Sequence, residues 1–325
     1  MTDRKRYYMG IDGGGTKTKF VLADKEGSIF ASHTGGPCHY LQVGLDALTQ
    51  LMDEGTESLI AAANECLGAG SEEKICRDNI AAACAGLAGY GDVASDSELI
   101  KEAVAKGLGS IPFRVVNDCE IALAGALEGT EGICIIAGTG AIAYGRSDEN
   151  GTMRCGGWNH VLGSDEGSGY WLGWSMLREF GRQSDGRDEK TLLYEKMKEI
   201  LGIDADDEMV KRVVEDWGLD RTKIASLAPA AGELYDAGDP FAIDLIQRGA
   251  AELADLAVSL YQRLGFSKEK NGIVPVSGAG SIFKLGTKLM DPLTERLGAN
   301  GMKWREPAGT PEEGAVLLAM RADTL

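Results

Sequence analysis

The alternation of apolar and polar residues predicts two copies of one strand pattern. In the first copy, YYMGID, KTKFVLAD and SIFASH have the pattern of strands, separated by the glycine loop GGGT and the acidic turn KEG. In the second copy, the strands are ICIIAG, IAYGRS and TMRCGG, separated by TGA and DENG. The repeated order indicates an internal duplication, and its long period favours two similar α/β halves over a short-repeat solenoid.

The segments between and after these copies alternate between helical and strand patterns. Apolar residues at helical spacing predict helices over Leu45–Leu67 and over SELIKEAVAKGLG, while NIAAACAGL predicts a buried strand. The segment FRVVNDCEIALAGAL predicts a strand, a polar corner and a helix. Residues 169–265 are predicted to be mainly helical with a break at GDP, and GIVPV then returns to strand.

The length of the chain bears on its domain organisation. At 325 residues, it exceeds the size at which a single hydrophobic core stops growing, so two domains are expected. We place the first domain at residues 1–126, completed by a C-terminal helix within 309–325 that packs back on it. The second domain covers 127–308 and contains a helical insertion.

Composition and charge narrow the class of protein. The chain is 44% hydrophobic and 26% charged, and no apolar run reaches the roughly 18 to 20 residues of a membrane span. A signal peptide is absent from the N-terminal pattern, which predicts a cytoplasmic protein. The net charge of -17 disfavours nucleic acid as a partner. The seven cysteines are scattered singly and are expected to be free thiols.

The first glycine loop, Asp12 to Thr16, joins two strands rather than a strand and a helix. This context excludes the usual dinucleotide-binding and Walker-type loops. Backbone N–H groups of such a loop can approach phosphate oxygens, and Thr16 and Lys17 add donors. The carboxylate of Asp12 can hold a hydrated Mg²⁺. An ordinary hairpin turn is the alternative, but the second copy at Gly138 to Gly140 favours the phosphate-binding interpretation.

Two glycine hairpins can clasp the phosphates of one nucleotide, and ATP is the predicted ligand. A third glycine turn, Ser277 to Ser281, follows the strand GIVPV and can place backbone beside an adenine. The candidate nucleotide-binding residues are Asp12, Gly13, Gly14, Gly15, Thr16, Lys17, Gly138, Thr139, Gly140, Gly278, Ala279, Gly280 and Ser281.

These three segments, in this order, resemble the phosphate-one, phosphate-two and adenosine motifs of the actin and sugar-kinase superfamily. The whole chain resembles the BadF/BadG/BcrA/BcrD ATPase family, especially its N-acetylglucosamine kinase branch, through CGGWNHVLGSDEGSGYWLG, VVNDCEIALAGA and IAGTGA. The resemblance implies a two-domain actin-like (ribonuclease H-like) α/β fold with nucleotide and sugar in the interdomain cleft. It also implies ATP-dependent phosphorylation of an amino sugar, foremost N-acetylglucosamine at its 6-hydroxyl, and a homodimer.

Asp118 is the candidate catalytic base. Phosphoryl transfer needs a carboxylate near the accepting hydroxyl, and Asp118 lies between a predicted strand and helix. The resemblance assigns the base to this position and places Asn117 beside the substrate. The alternative is a helix N-cap, because Asn117 and Asp118 precede a helical run.

A sugar pocket suits the polar and aromatic residues that follow the second hairpin. An aromatic face can stack on sugar C–H bonds, and carboxylates accept hydrogen bonds from hydroxyls. Core packing is the alternative for Trp158, an N-cap for Asp165, and loop packing for His39. Cys38 stands where resembling kinases often carry a polar residue, which opens the choice of sugar. The candidate sugar-binding residues are His39, Asn117, Asp118, Thr139, Gly140, Gly157, Trp158, Asn159 and Asp165.

Two other functions share this fold. Activator ATPases of 2-hydroxyacyl-CoA dehydratases and benzoyl-CoA reductases need cysteine thiolates for an iron–sulfur cluster. In this chain the segment Cys155 to Gly163 holds Trp158 and His160, where those activators would be expected to carry a GGQD-type sequence. A non-catalytic sugar sensor would normally add a helix-turn-helix module, whereas this chain reaches its first strand within about ten residues. N-acetylmuramic acid, glucosamine and glucose are alternative acceptors for a kinase.

Overall fold

The computed structural model describes residues 7–68 and 74–322 and divides the chain into two compact units. The first unit contains the chain up to Thr130 and from Glu306 onward, and the second contains Glu131–Arg305. The first unit is therefore assembled from both ends of the sequence.

The strands and helices predicted from the sequence occur in the expected order, together with elements that were not predicted, such as Thr287–Ala299 and Met302–Trp304. The strands are β1 (Tyr7–Gly13), β2 (Thr18–Ala23), β3 (Ile29–Gly35), β4 (Ile80–Leu87), β5 (Phe113–Asn117), β6 (Gly132–Ala137), β7 (Ala141–Ser147), β8 (Gly151–Gly156), β9 (Val274–Ala279) and β10 (Met302–Trp304). The helices are α1 (Tyr40–Val43), α2 (Leu45–Leu67), α3 (Ser97–Leu108), α4 (Asp118–Ala126), α5 (Gly169–Ser184), α6 (Leu192–Leu201), α7 (Glu208–Val210), α8 (Arg221–Ala225), α9 (Ala228–Asp236), α10 (Pro240–Arg263), α11 (Lys268–Asn271), α12 (Thr287–Ala299) and α13 (Pro311–Ala322).

The two units contain sheets of identical topology. The first sheet has the order β3-β2-β1-β4-β5, and the second has the order β10-β9-β6-β7-β8. In each sheet the first three strands of the unit form antiparallel pairs, while its last two strands pair in parallel with their neighbours. The duplication predicted from the sequence is thus confirmed in the order and direction of the strands.

The first sheet is covered on both faces, and the alternation along β2 shows how. Phe20 and Leu22 point into a core shared with α2 and α3, while Val21 between them packs in a second cluster. That second cluster includes Ile121 of α4 and Val316 of α13. The last helix therefore packs on the sheet of the first unit.

The second sheet carries most of the helical insertion. Its core joins β6 and β7 to α5, α10 and α12 through buried residues such as Ile135, Met176 and Leu253. The break predicted at GDP separates α9 from α10, where the Asp239 side chain accepts a hydrogen bond from the Ala242 N–H and caps α10. Among the described residues, no helix is both long enough and apolar enough to cross a membrane.

Candidate active site

The first glycine loop is a tight connection between β1 and β2. The N–H of Gly14 donates to the carbonyl oxygen of Lys17 at 2.9 Å and closes the turn. Gly15, Thr16 and Lys17 at its tip are exposed, whereas Gly13 is buried. The loop therefore presents backbone and the Thr16 and Lys17 side chains to solvent, as a phosphate-binding loop must.

Cys38 contacts this glycine loop through both its backbone and its thiol. Its backbone N–H donates to the carbonyl oxygen of Gly14 at 3.1 Å, and its thiol lies 3.5 Å from the same oxygen. Burial raises the pKa of Cys38 to about 11, so the side chain is a neutral thiol. The replacement noted in the sequence thus places a small buried group against the glycine loop.

His39 lies next to Cys38 on the side of Gly89. Its ring is parallel to that of Tyr40, with centroids 5.8 Å apart, and Nε2 would lie 3.0 Å from a Cβ at Gly89. The Tyr40 hydroxyl donates to Asp96 Oδ2 at 2.6 Å and fixes this aromatic pair. His39 is half-exposed, and its predicted contact with a sugar stays a prediction.

Asp12 is held in an unfavourable electrostatic setting. Burial, followed by the charges of Glu312 and Asp118, raises its pKa to about 6, while Lys19 and Lys17 act in the opposite direction. Lys19 pairs with Asp12 across the β1–β2 ladder, and its ammonium group lies 2.6 Å from Glu312 Oε1. An ionised Asp12 is therefore destabilising to the fold in the absence of a cation.

Replacing Asp12 by asparagine is expected to stabilise the nucleotide-free protein at neutral pH. Because the folded-state pKa lies above the unfolded one, the cost of ionising Asp12 is absent below about pH 4 and complete above about pH 6. The gain should reach roughly 1 to 3 kcal/mol above that window. Urea unfolding of wild type and Asp12→Asn, repeated across this pH range, measures the difference.

Glu65→Gln is the matched control, because it removes an exposed carboxylate of α2 in the same unit. Its free energy of unfolding should differ from wild type by a constant amount across the same range. A stability gain of Asp12→Asn that did not grow between about pH 4 and pH 6 would contradict the electrostatic account.

Asn117 and Asp118 lie together at the start of α4. Asn117 is the N-cap of α4: its Oδ1 accepts from the Cys119 N–H at 3.0 Å, and its Nδ2 donates to the Tyr90 carbonyl at 2.8 Å. Asp118 is the first residue of α4, and its Oδ1 also accepts from the Cys119 N–H. Burial raises the pKa of the Asp118 carboxyl, which favours its acting as a proton acceptor.

In the second unit, the second glycine hairpin is fixed by the start of α5. The Gly169 N–H donates to the carbonyl oxygen of Gly138 at 2.8 Å, and the Tyr170 N–H donates to that of Thr139 at 3.2 Å. The Gly138 N–H in turn bonds to the Gly140 carbonyl at 2.9 Å. The hairpin carbonyls are thus occupied by helix N–H groups, which fixes the conformation of its backbone.

A cavity of about 570 Å³ opens beside this hairpin, within the size range of small-ligand pockets. Its walls come from the hairpin, the start of α5, α8, α9 and the approach to α12. The lining residues are Gly138, Thr139, Gly169, Thr222, Ala225, Ser226, Ala228, Pro229, Gly232, Glu233, Asp236, Ser281, Ile282, Lys284, Leu285 and Lys288. Lys288 pairs with Asp236 at 3.1 Å, and Lys284 is exposed.

The third glycine turn contributes to this cavity only in part. Ser281 lines it, and its N–H lies 3.9 Å from the position of a Cβ at Gly138, so the second and third predicted segments meet here. Gly278 instead lies in the interior, where a Cβ would lie 2.5 Å from the Trp304 ring. The smallness of Gly278 therefore serves packing of the sheet.

The loop after β8 presents an aromatic ring to solvent. Trp158 is 63% exposed, so core packing is wrong for this residue. The Arg154 guanidinium lies 4.6 Å from the centroid of the Trp158 ring. The backbone N–H of Trp158 donates to Ser164 Oγ at 3.3 Å. Asn159 adopts a φ of 86° and accepts from the Val161 N–H through Oδ1 at 3.1 Å.

Asp165 lies in the interior of the second unit. It is 3% exposed and adopts a φ of 72°, and its carboxylate accepts from the Ala141 N–H and from Arg221. Ser168 rather than Asp165 caps α5, so the N-cap alternative for Asp165 is wrong. Next to the pair, His160 packs edge-on against Tyr170 with ring centroids 4.6 Å apart. Burial and the nearby Arg221 charge lower the pKa of His160, which favours its neutral form.

Sequence patterns did not identify Arg221 or the cavity walls contributed by α8 and α9. Both helices lie in the stretch interpreted only as helical. A signal did exist after the third glycine turn, where the sequence carries Lys284 and Lys288, and both residues line the cavity.

Known proteins match this chain in sequence over nearly its whole length. The profile of the BadF/BadG/BcrA/BcrD ATPase family matches residues 9–319. The N-acetyl-D-glucosamine kinase of Dictyostelium discoideum is 31% identical over 322 residues, covering 98% of this chain and 99% of the relative. The N-acetylmuramic acid/N-acetylglucosamine kinase of Clostridium acetobutylicum is 31% identical over 300 residues, covering 91% of each chain.

A solved structure shows the same similarity in three dimensions. The structure of a putative N-acetylglucosamine kinase from Chromobacterium violaceum superposes with a TM-score of 0.73 at 25% identity. The match covers 96% of this chain and 98% of that one. The α/β fold class predicted from the duplicated glycine hairpins is confirmed.

Proposed function

This chain belongs to the BadF/BadG/BcrA/BcrD ATPase family, and from that premise we propose that it is an ATP-dependent amino-sugar kinase. The observation that carries the proposal is the cavity in which the second glycine hairpin and Ser281 of the third turn come together. Both full-length relatives compared above are amino-sugar kinases, and N-acetylglucosamine is named for both. N-acetylglucosamine is therefore the proposed acceptor, with N-acetylmuramic acid and glucosamine as further candidates.

The cavity has the chemistry for a nucleotide. Gly138 and Thr139 contribute the hairpin, and another part of the wall carries the ammonium groups of Lys284 and Lys288, the latter paired with Asp236. Leu285, Ile282 and Pro229 supply apolar surface, which suits the faces of an adenine ring. We assign ATP to this cavity, with its phosphates toward Thr139 and Gly140.

The residues around Asp12 fit a divalent cation. Asp12 is raised in pKa by burial and by two further carboxylates, and a bound cation would relieve the cost of ionising it. Oxygen ligands of this kind, used through water, are those that Mg²⁺ accepts. When bound, Mg²⁺ neutralises charge on the phosphates. Asp12 is its proposed holder in this chain, and Lys17 and the exposed loop backbone are proposed phosphate donors.

Asp118 is the proposed base of the reaction. Its carboxylate accepts the proton of the sugar's primary hydroxyl, and that oxygen forms a bond to the terminal phosphorus of ATP as the bond to the leaving ADP oxygen breaks. The raised pKa of Asp118 makes the carboxylate a stronger proton acceptor than an exposed aspartate. Asn117 holds the start of α4, and therefore Asp118, against the Tyr90 carbonyl.

The sugar is proposed to contact residues of the loop after β8 and of the loop before α1. Trp158 offers an exposed ring for C–H stacking, and Gly157 and Asn159 offer backbone and amide groups. His39 is proposed to contact the sugar from the first unit. We also propose that the protein is a homodimer, from the resemblance, and that it is located in the cytoplasm.

The decisive test is a coupled ADP-release assay with Mg-ATP against a panel of sugars. We expect turnover that depends on N-acetylglucosamine, with N-acetylmuramic acid, glucosamine, N-acetylmannosamine and glucose ranked below it. Phosphorus NMR of the product assigns the hydroxyl that is phosphorylated, expected to be the primary one.

A control without sugar separates the kinase from its main rival. Release of ADP at the same rate with and without every sugar would overturn the kinase and favour an activator ATPase. That rival also requires an iron–sulfur cluster, so anaerobically purified protein would then show brown cluster absorbance. Strong sugar dependence and a colourless protein support the kinase.

A further inference from the structure

The carboxylate of Asp165 is held at both oxygens, by groups that lie far apart in sequence. Oδ1 accepts from the Ala141 N–H at 3.1 Å, directly after the second glycine hairpin, and Oδ2 accepts from the Arg221 guanidinium at 2.6 Å. Asp165 does this at a φ of 72°, a region that costs energy for a residue with a side chain. Surrounding contacts must maintain that conformation, and the Arg221 ion pair is one of them.

The same guanidinium lies against the hairpin itself. A Cβ at Gly140 would lie 2.1 Å from the terminal nitrogen of Arg221 and 2.9 Å from Asp165 Oδ1. Such an approach is open to glycine alone, because any side chain would displace the ion pair. Arg221, Asp165 and Gly140 therefore form one packed cluster, which we call the hairpin clamp.

The clamp connects to the nucleotide cavity through α8. Arg221 is the first residue of that helix, and Thr222 and Ala225 of the same helix line the cavity. The Asp220 side chain accepts from the Lys223 N–H at 2.8 Å and fixes the helix start. Any displacement of α8 would therefore alter both the cavity wall and the grip on Asp165.

The two charged side chains of the hairpin clamp differ in their exposure to solvent. The Asp165 side chain is 4% exposed and that of Arg221 is 38% exposed. Loss of the arginine would leave a carboxylate in a buried place without its charged partner, a costly arrangement that the surrounding loop would relieve by moving. Arg221 Nε is buried without a hydrogen-bond partner among the described residues. The guanidinium is thus bonded to Asp165 through a terminal nitrogen while its Nε stays unpaired within the described part of the chain.

We propose that Arg221 is a positioning residue for phosphoryl transfer, holding Asp165 and the hairpin Gly138–Gly140 in one arrangement. Through Asp165 it orients the loop that is proposed to carry the sugar, and through Gly140 it orients the hairpin that is proposed to hold the terminal phosphate. The proposal rests on the amino-sugar kinase function. The proposal assigns a role in the reaction to Arg221, which lies outside the three glycine motifs and outside the loop after β8 that is proposed to bind the sugar.

The kinetic test compares Arg221→Gln and Arg221→Lys with wild type. For Arg221→Gln, kcat/KM for N-acetylglucosamine should fall about 100-fold, the loss typical of misplaced reacting groups. Arg221→Lys keeps the charge without the planar fork and should recover about 10-fold of that loss. A purely structural ion pair would lower the melting temperature without a selective loss of kcat/KM or such a rescue.

Arg296→Gln is the matched control. Arg296 pairs with Asp255 at 2.7 Å in the same unit, between α12 and α10, and both side chains are about half exposed. Neither residue lines the cavity. Its kcat/KM should stay within about 2-fold of wild type, as expected for an exposed ion pair.

A binding test separates this proposal from the function on which it rests. The dissociation constants of ADP and of the β,γ-imido analogue of ATP are measured by calorimetry with Mg²⁺ and without sugar. Arg221→Gln should weaken the analogue about 10-fold and ADP less than about 3-fold, because only the analogue carries a terminal phosphate for the hairpin.

The outcomes are distinct. If wild type shows no sugar-dependent turnover, the kinase function fails, and the ratio of the two dissociation constants decides on Arg221. An unchanged ratio in Arg221→Gln overturns the positioning role, and so does a kcat/KM within about 3-fold of wild type in an active kinase. A selective loss of affinity for the ATP analogue in Arg221→Gln, with partial recovery of kcat/KM in Arg221→Lys, supports the positioning role.

Discussion

Asp118→Asn should lower kcat by about two to four orders of magnitude, the contribution of a positioned general base. The substitution keeps the shape of the side chain, and the amide oxygen of asparagine can still accept from the Cys119 N–H that Asp118 Oδ1 bonds at 2.9 Å. The cap of α4 is made by Asn117 and is untouched. The affinity for ADP and the melting temperature should therefore remain close to those of wild type.

The measurement is kcat at saturating ATP and N-acetylglucosamine, with ADP affinity by calorimetry. Glu120→Gln is the control, since it makes the same change of carboxylate to amide two residues later on α4. Glu120 pairs with Arg114 at 2.5 Å, and its side chain is 16% exposed while that of Arg114 is 47% exposed. We expect kcat of the control within about 2-fold of wild type. If Asp118→Asn turned over at a rate near that of wild type, another group would have to be the base.

The second large effect concerns the crossing of α4 and α13. A Cβ at Gly125 would lie 2.0 Å from the Thr310 carbonyl oxygen, and a Cβ at Gly314 would lie 2.0 Å from that of Ile121. The two glycines face each other's helix, so the obstacle in each case is backbone that no side-chain rotation can relieve. Gly125→Ala must push the helices apart, at a cost of roughly 1 to 3 kcal/mol or more.

This substitution should lower the melting temperature by about 5 °C or more, since 1 kcal/mol corresponds to a few degrees in a domain of this size. Because Asp118 begins the same helix, kcat should fall as well. Gly298→Ala is the control: a Cβ there meets nothing within 4 Å, and alanine in α12 should be neutral or slightly stabilising. Equal stability of Gly125→Ala and wild type would show that the crossing tolerates a methyl group.

The sequence predicted those parts of the molecule that local patterns determine. Leu45–Leu67 has a helical repeat of apolar residues and is α2 over the same residues. The two strand–glycine–strand copies became two sheets of one topology, because period-two alternation and glycine turns are local signals. An N-cap was the alternative that the sequence left for Asp118, and the structure gives that position to its neighbour Asn117.

Contacts between residues that lie far apart in the sequence could not be predicted from such local patterns. Arg221 and Asp165 are 56 residues apart in sequence, and nothing near either residue signals the ion pair. The interior position of Gly278 depends on Trp304 of β10, which a strand pattern does not reveal. Trp158 was as compatible with a core as with a pocket, and only the conformation of its loop decides that its ring is exposed.

The discontinuity of the first unit has a consequence for synthesis on the ribosome. One face of its sheet is covered by α4 together with α13, whose Ala315, Val316 and Ala319 are buried there. These residues leave the ribosome after the whole second unit, Glu131–Arg305, has already emerged. The nascent chain must therefore carry a partly uncovered apolar surface through most of translation, a period in which chaperones and premature termination would have their greatest influence.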